Sequence, residues 1–164
     1  MSRSKGILVV ANESVGSALL FEAIRLGLDA IGPAGVAIVA PALNTRVRHW
    51  ACDDGEARHD AELRLARAVG ALAADGIDAE GWVGDADPLL AVADALCQVP
   101  VDLLVVATQD ESSSNWRAHD LPERLRQEFA LPVLLVSVDR RAGRELLFDG
   151  EGRAHGRAQL AHAA

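Results

Sequence analysis

Arg46, Arg48 and His49 form a compact basic group in a chain of formal net charge −8, and Trp50 follows them directly. Guanidinium groups two residues apart can clasp an anion through charge-assisted hydrogen bonds, and a neighbouring tryptophan can stack on a base or another ring. In the stretch Asp110-Glu111-Ser112-Ser113-Ser114-Asn115-Trp116, Ser113, Ser114 and Asn115 bring hydroxyl and amide groups suited to a polar pocket. Asn12 and Ser14, on either side of Glu13, are a third set able to hydrogen-bond a ligand. Each set also has an ordinary structural role. Arginines on a long loop are solvated, tryptophans pack as lids, and serines satisfy loop backbone and helix-entry groups.

Other chemistry finds less support. His49, Cys52, Asp53, Asp54 and His59 are metal-capable, but their spacing matches no closed zinc pattern, and Asp53-Asp54 suits the start of a helix, where acids favour the dipole. No metal site is expected. There is no G-x-S-x-G elbow, and only the weak His49/Cys52 pair sets a cysteine near a histidine base, so no enzymatic activity is expected. The acidic balance argues against a nucleic-acid surface, which needs clustered Lys and Arg.

At 164 residues the chain is one domain's worth. No apolar run approaches the roughly 18 residues that cross a bilayer, and the opening MSRSKGILVV passes straight into a strand-like run without a cleavage signal. Cys52 and Cys97 share no C-x-x-C spacing and fit reduced thiols. A cytoplasmic protein that makes no use of a membrane is expected.

Five strand-length apolar runs must position the candidate groups: Gly6 to Ala11, Gly35 to Ala40, Ala79 to Val83, Val101 to Ala107 and Pro132 to Val138. The first, fourth and fifth are almost continuously apolar, as parallel strands covered on both faces are. Helical spacing fills the gaps. Ser14 is a candidate cap for a helix carrying Leu19, Leu20, Ala23 and Ile24, with Gly27 as its stop. Ala61, Leu65, Ala68 and Leu72 repeat at steps of four, three and four, in a helix ending near Gly76. Asp87-Pro88 reads as a cap and first-turn proline before Leu89, Val92 or Ala93, and Leu96. Asp120-Leu121-Pro122-Glu123 reads as a capping-box variant before Leu125 and Phe129. Strict alternation of strand and helix predicts a three-layer α/β sandwich around a parallel sheet with right-handed crossovers. Residues 1–140 are expected to form this domain and 141–164 a mostly mobile tail, although Leu146-Leu147-Phe148 could pack back onto the body.

These segments resemble the universal stress protein family. Ile7 to Ser14 resembles its opening strand, which ends in Val-Asp-Gly-Ser; Gly84-Asp85-Ala86-Asp87-Pro88 resembles its Gly-Asp turn. Asp102 to Thr108 resembles the strand Asp-Leu-Ile-Val-Val-Gly-Ser, and Leu131 to Val136 the closing Cys-Pro-Val-Leu-Val-Val. The resemblance implies a doubly wound, adenine nucleotide α-hydrolase-like fold, with five parallel strands in the order 3-2-1-4-5 and four main helices. It implies a stress-response role and pairing through the fifth strand.

ATP-binding members carry G-x-x-G-x9-G-[ST] after the fourth strand. Here those glycines fall on Ala107, Asp110 and His119, with Asp120 at the closing hydroxyl position in a loop one residue shorter. Asp110 and Asp120 would set negative charge against a polyphosphate, at a cost of about 1 kcal/mol or more at contact distance. The family's aspartate after the first strand is Asn12. No resident cofactor is expected.

In a doubly wound fold ligands bind outside the carboxyl ends of the strands, at the switch in strand order. Ala11, Asn12, Ser14, Ala40, Arg46, Arg48, Thr108, Ser113, Ser114 and Asn115 converge there as candidate ligand-binding residues. The expected function is a non-enzymatic binding or signalling module of the universal stress type. The alternative is a divergent holder of ATP, AMP or another anionic ligand. A homodimer through Pro132 to Val138 is expected, because an apolar strand at the rim of a sheet invites pairing; the alternative is a monomer whose edge is covered by residues 143 to 150.

Overall fold

A computed structural model describes residues 5–11, 16–41, 54–109, 116–139, 144–148 and 154–159. The strands are β1 (Gly6–Ala11), β2 (Gly35–Pro41), β3 (Ala79–Gly84), β4 (Leu103–Gln109), β5 (Val133–Asp139), β6 (Arg144–Phe148) and β7 (Ala154–Gln159). The helices are α1 (Ala18–Ile31), α2 (Asp54–Ala74), α3 (Pro88–Gln98) and α4 (Trp116–Phe129). One sheet joins all the strands in the order β3-β2-β1-β4-β5-β6-β7. The pairs from β3 to β5 are parallel, in the expected order, and β6 and β7 add an antiparallel hairpin.

Alternating side chains of the central strands feed two cores. Ile7, Val9 and Ala11 join Ile38, Ala40 and Val105 beneath Leu19, Leu20 and Ile24 of α1 and Leu65, Ala68 and Leu72 of α2. Leu8 and Val10 join Val39, Leu104 and Val106 beneath Leu89, Val92 and Ala95 of α3 and Leu125 of α4. Burial on both faces explains why these strands are continuously apolar. No described helix is long and apolar enough to cross a membrane.

Several boundaries differ from the sequence expectation. Ser17, rather than Ser14, caps α1: its Oγ accepts from the Leu20 N–H at 3.1 Å. Gly27 does not stop that helix, which runs to Ile31 and ends at Gly32, φ 85°. A Cβ on Gly27 would lie 2.6 Å from Leu103 Cδ2 and 2.9 Å from Ile7 Cδ1, so this glycine lets α1 press against β1 and β4. α4 starts a turn before Asp120 and contains Pro122, which forgoes one intrahelical bond and whose ring is buried.

At the rim the structure follows the alternative in which the chain covers its own fifth strand. β6 pairs along β5 from Leu135↔Phe148 to Asp139↔Arg144, so the sheet continues past residue 140 and the fifth strand is internal. A homodimer through Pro132 to Val138 therefore has no open strand edge to use in this structure. The backbone groups of β5 on this side are satisfied by the next segment of the same chain.

Candidate functional site

The carboxyl ends of β4, β1, β2 and β3 lie side by side at the switch in strand order. Register pairs Ala107 with Ala11 and Ala40 with Val83, and beyond them lie Thr108 of β4 and the Pro41–Gly84 pair. Three neighbouring strands thus carry alanine at this edge: Ala107, Ala11 and Ala40. Their methyl groups are buried, Ala11 and Ala40 at 1% exposure each, in the core beneath α1 and α2. What these two can offer a ligand is backbone. Thr108 is partly exposed and follows Leu104 and Val106 in the alternation toward the other face.

Ala11, Ala40 and Thr108 lie at one edge of the sheet. Asn12, Ser14, Arg46, Arg48, Ser113, Ser114 and Asn115 lie outside the described residues, as do His49, Trp50 and Asp110.

The β3–α3 corner supplies a wall that the sequence shows only as a turn. A Cβ on Gly84 would come 2.6 Å from Val39 Cγ2 and 2.9 Å from Ala91 Cβ, so only glycine lets α3 sit this close to β2 and β3. Asp85 Oδ1 accepts from the Asp87 N–H at 2.8 Å, and Asp87 Oδ1 accepts from the Leu89 N–H at 2.9 Å. The Asp87 carbonyl also takes the Ala91 N–H at 2.9 Å. The positive end of α3 is thus capped by the Asp87 carboxylate, the Asp85 carboxylate holds the N–H of that cap residue, and the charge of both opposes an anion arriving from this side. The recurrence Asp85-x-Asp87-Pro88 carries the signal for this cap, since an aspartate bonding backbone two residues on is a common turn device.

At the opposite wall α1 begins with the neutral cap Ser17, and its first turn holds no acidic residue. Among the described residues no three His, Cys, Asp or Glu side chains come together as a metal site. Cys97 is exposed on α3.

A five-strand parallel core flanked by two helices on each face defines the class: a doubly wound α/β fold of the universal stress protein type. The comparison that supports it is a crystal structure of a protein from the universal stress protein family from Burkholderia pseudomallei, with a TM-score of 0.52 and 20% sequence identity over 79% of this chain and 93% of that chain. The likeness is one of fold. No protein-family model matches the sequence, and no curated protein does.

Proposed function

We propose that the chain is a universal-stress-type binding and signalling module of the cytoplasm, without catalytic activity, that does not hold ATP by a glycine-lined phosphate cradle. The observation that carries this reading is the capping of the α3 amino end by Asp87, with the Asp85 carboxylate bonded to the N–H of that cap. A triphosphate at this edge needs exposed N–H donors and low negative charge. The described wall offers buried alanines and carboxylates already occupied by their own backbone. The replacement of the family's glycines by Ala107, Asp110 and His119 points the same way.

A second reading is favoured by the alanine row itself. Small residues at the ends of three adjacent strands put no bulky side chain beside their backbone at this edge, and α1 opposite is capped without charge. In that reading Asn12, Arg46, Arg48, Thr108 and Ser113 to Asn115 hold AMP or another anionic ligand, with the arginines in place of the backbone cradle.

Thermal unfolding with ATP, AMP and cyclic AMP, with mass spectrometry of any small molecule released on denaturing the purified protein, separates the two. The first reading expects no released nucleotide and no shift. A rise of several degrees with any of the three overturns it, because a ligand selective for the folded state raises its melting temperature by mass action. If that rise is lost in Arg48→Ala, the second reading stands in its place.

A further inference from the structure

β3 ends the sheet on the side away from the hairpin. Among the described residues it has a strand neighbour on one side only, β2, and their ladder runs from Val36↔Ala79 to Pro41↔Gly84 without a break. Alternate residues of such a strand direct N–H and C=O groups away from the sheet. Proline, lysine and bulges are the common guards of an edge. β3 has none of them, and its one charged residue is Glu80. At the far rim, by contrast, the β6–β7 ladder shifts register between Leu147 and Phe148. Of the two rims, β3 is the regular one.

The two faces beside this rim differ in character. Gly81 faces α2, since a Cβ there would meet Leu65 Cδ2 at 3.2 Å and Val69 Cγ2 at 3.4 Å. Ala66 and Ala73, three before and four after Val69, share that side of the helix, and Glu62 a turn earlier is matched by Arg58 at 3.5 Å. Arg64 and Arg67 share the side that Asp75 turns to Arg25 of α1. The α2 face of the rim is therefore apolar and small. Glu80 and Trp82 alternate toward α3, where Ala91 packs on Gly84 and Asp94, three residues on, is exposed on the same side. Asp78 before the strand and Asp85 after it are exposed as well. None of residues 68–116 is Lys or Arg, so no base in this stretch of chain offsets these acids.

We infer that the outer edge of β3 is a docking site for an extended segment of a partner protein in which basic and apolar residues alternate. Main-chain hydrogen bonds hold the segment as an added strand, and the period of two sorts its side chains between the faces. Its Arg or Lys residues meet Glu80 and Asp94 on the α3 face; its apolar residues meet Val69 and Ala66 on the α2 face. A second copy of this chain is a poor occupant. Rim to rim, Asp78, Glu80 and Asp85 would meet their own counterparts, like charge against like. The inference is independent of any ligand at the carboxyl edge.

Fluorescence anisotropy and hydrogen exchange on the full chain test it with the labelled peptide Arg-Val-Arg-Val-Arg-Val. Binding should slow the exchange of β3 amides and leave β7 amides unchanged. The blocked peptide Arg-Arg-Arg-Val-Val-Val has the same composition without the alternation, and a fully N-methylated alternating peptide has the same charge without main-chain donors. Each should bind at least about tenfold more weakly. Glu80→Lys sets a like charge against the peptide and should weaken it by about tenfold, with Glu80→Gln weakening it less. The peptide comparisons use the wild type and need no variant to fold. Equal binding of the blocked or the methylated peptide overturns the inference, as does protection confined to other elements, or no binding at millimolar peptide. A wild type with the mass of two chains and β3 amides protected before peptide is added gives the edge to a second copy, and overturns it too.

Discussion

Asp102 and Gly6 exchange two hydrogen bonds across 96 positions of sequence: the Asp102 N–H donates to the Gly6 carbonyl at 2.8 Å, and the Gly6 N–H donates to Asp102 Oδ2 at 3.1 Å. The clasp fixes the entry of β4 against the first residue of β1, and so the register that brings Ala11 level with Ala107 at the other end. The approach is close, since a Cβ on Gly6 would lie 1.7 Å from the Pro100 carbonyl oxygen. Asp102→Ala removes the acceptor and leaves a part-buried N–H without it, which costs about 1–2 kcal/mol. Asp102→Asn keeps an acceptor oxygen and should cost less. Urea unfolding of the two variants measures the difference.

Gly27 and Gly70 both lie inside helices, yet their replacement by alanine should act with opposite signs. Gly70 is exposed on α2 with nothing within 4 Å of an added Cβ, so Gly70→Ala should stabilise by about 0.5–1 kcal/mol through backbone entropy alone. Gly27→Ala makes the same entropic gain but drives a methyl into Leu103 and Ile7 in a packed core, an overpacking cost of about 1–3 kcal/mol. Crowding outweighs the entropic gain, and the variant should be destabilised. Thermal melts of the pair check the sign of each.

How far the sequence could be read depends on where each signal resides. β1 was legible to the residue because Gly6 to Ala11 is apolar throughout and bounded by polar neighbours. The covered face of α2 was legible because Ala61, Leu65, Ala68 and Leu72 hold helical phase over three turns, and all four are buried. The end of α1 was not, because a glycine chosen for close packing and a glycine chosen for a left-handed cap look alike in sequence. β6 was legible only as the short apolar run Leu146-Leu147-Phe148, able to pack back onto the body, and β7 was not, because Ala-His-Gly-Arg-Ala-Gln shows no apolar alternation. Of the candidate residues, only the strand-end positions Ala11, Ala40 and Thr108 could be placed from the apolar runs. The remainder belong to connections, where hydrophobic periodicity says nothing about where a side chain ends up.

Ala130 follows α4 with φ 51°, and its N–H donates to the Arg126 carbonyl at 3.1 Å. This is the left-handed position where helices usually place glycine. An alanine there bears roughly 1–2 kcal/mol of steric cost. Ala130→Gly relieves that cost and gives back about 0.5–1 kcal/mol in the unfolded chain, a net gain of about 0.5–1 kcal/mol. Because Ala130 is exposed, no loss of packing competes. A higher urea midpoint at an unchanged slope is the expected result, and a lower midpoint refutes the argument.

Arg25 on α1 and Asp75, just past α2, meet at 2.5 Å, closer than the Arg58–Glu62 and Arg126–Glu123 pairs at 3.5 Å. Distance alone suggests a strong tie between the two helices, but both side chains are well exposed, at 53% and 42%. Water and salt screen such a pair to about 0–1 kcal/mol. Leu72, a turn before Asp75 and fully buried, fills the core beneath α2 with an apolar side chain, and Leu72→Ala should cost about 2–5 kcal/mol. Arg25→Ala should therefore move the urea midpoint only slightly, and by less still at high salt, while Leu72→Ala should move it several times further. If the ion-pair variant is the more damaging of the two, the two helices are held on this face of the sheet by charge, and the apolar packing is secondary.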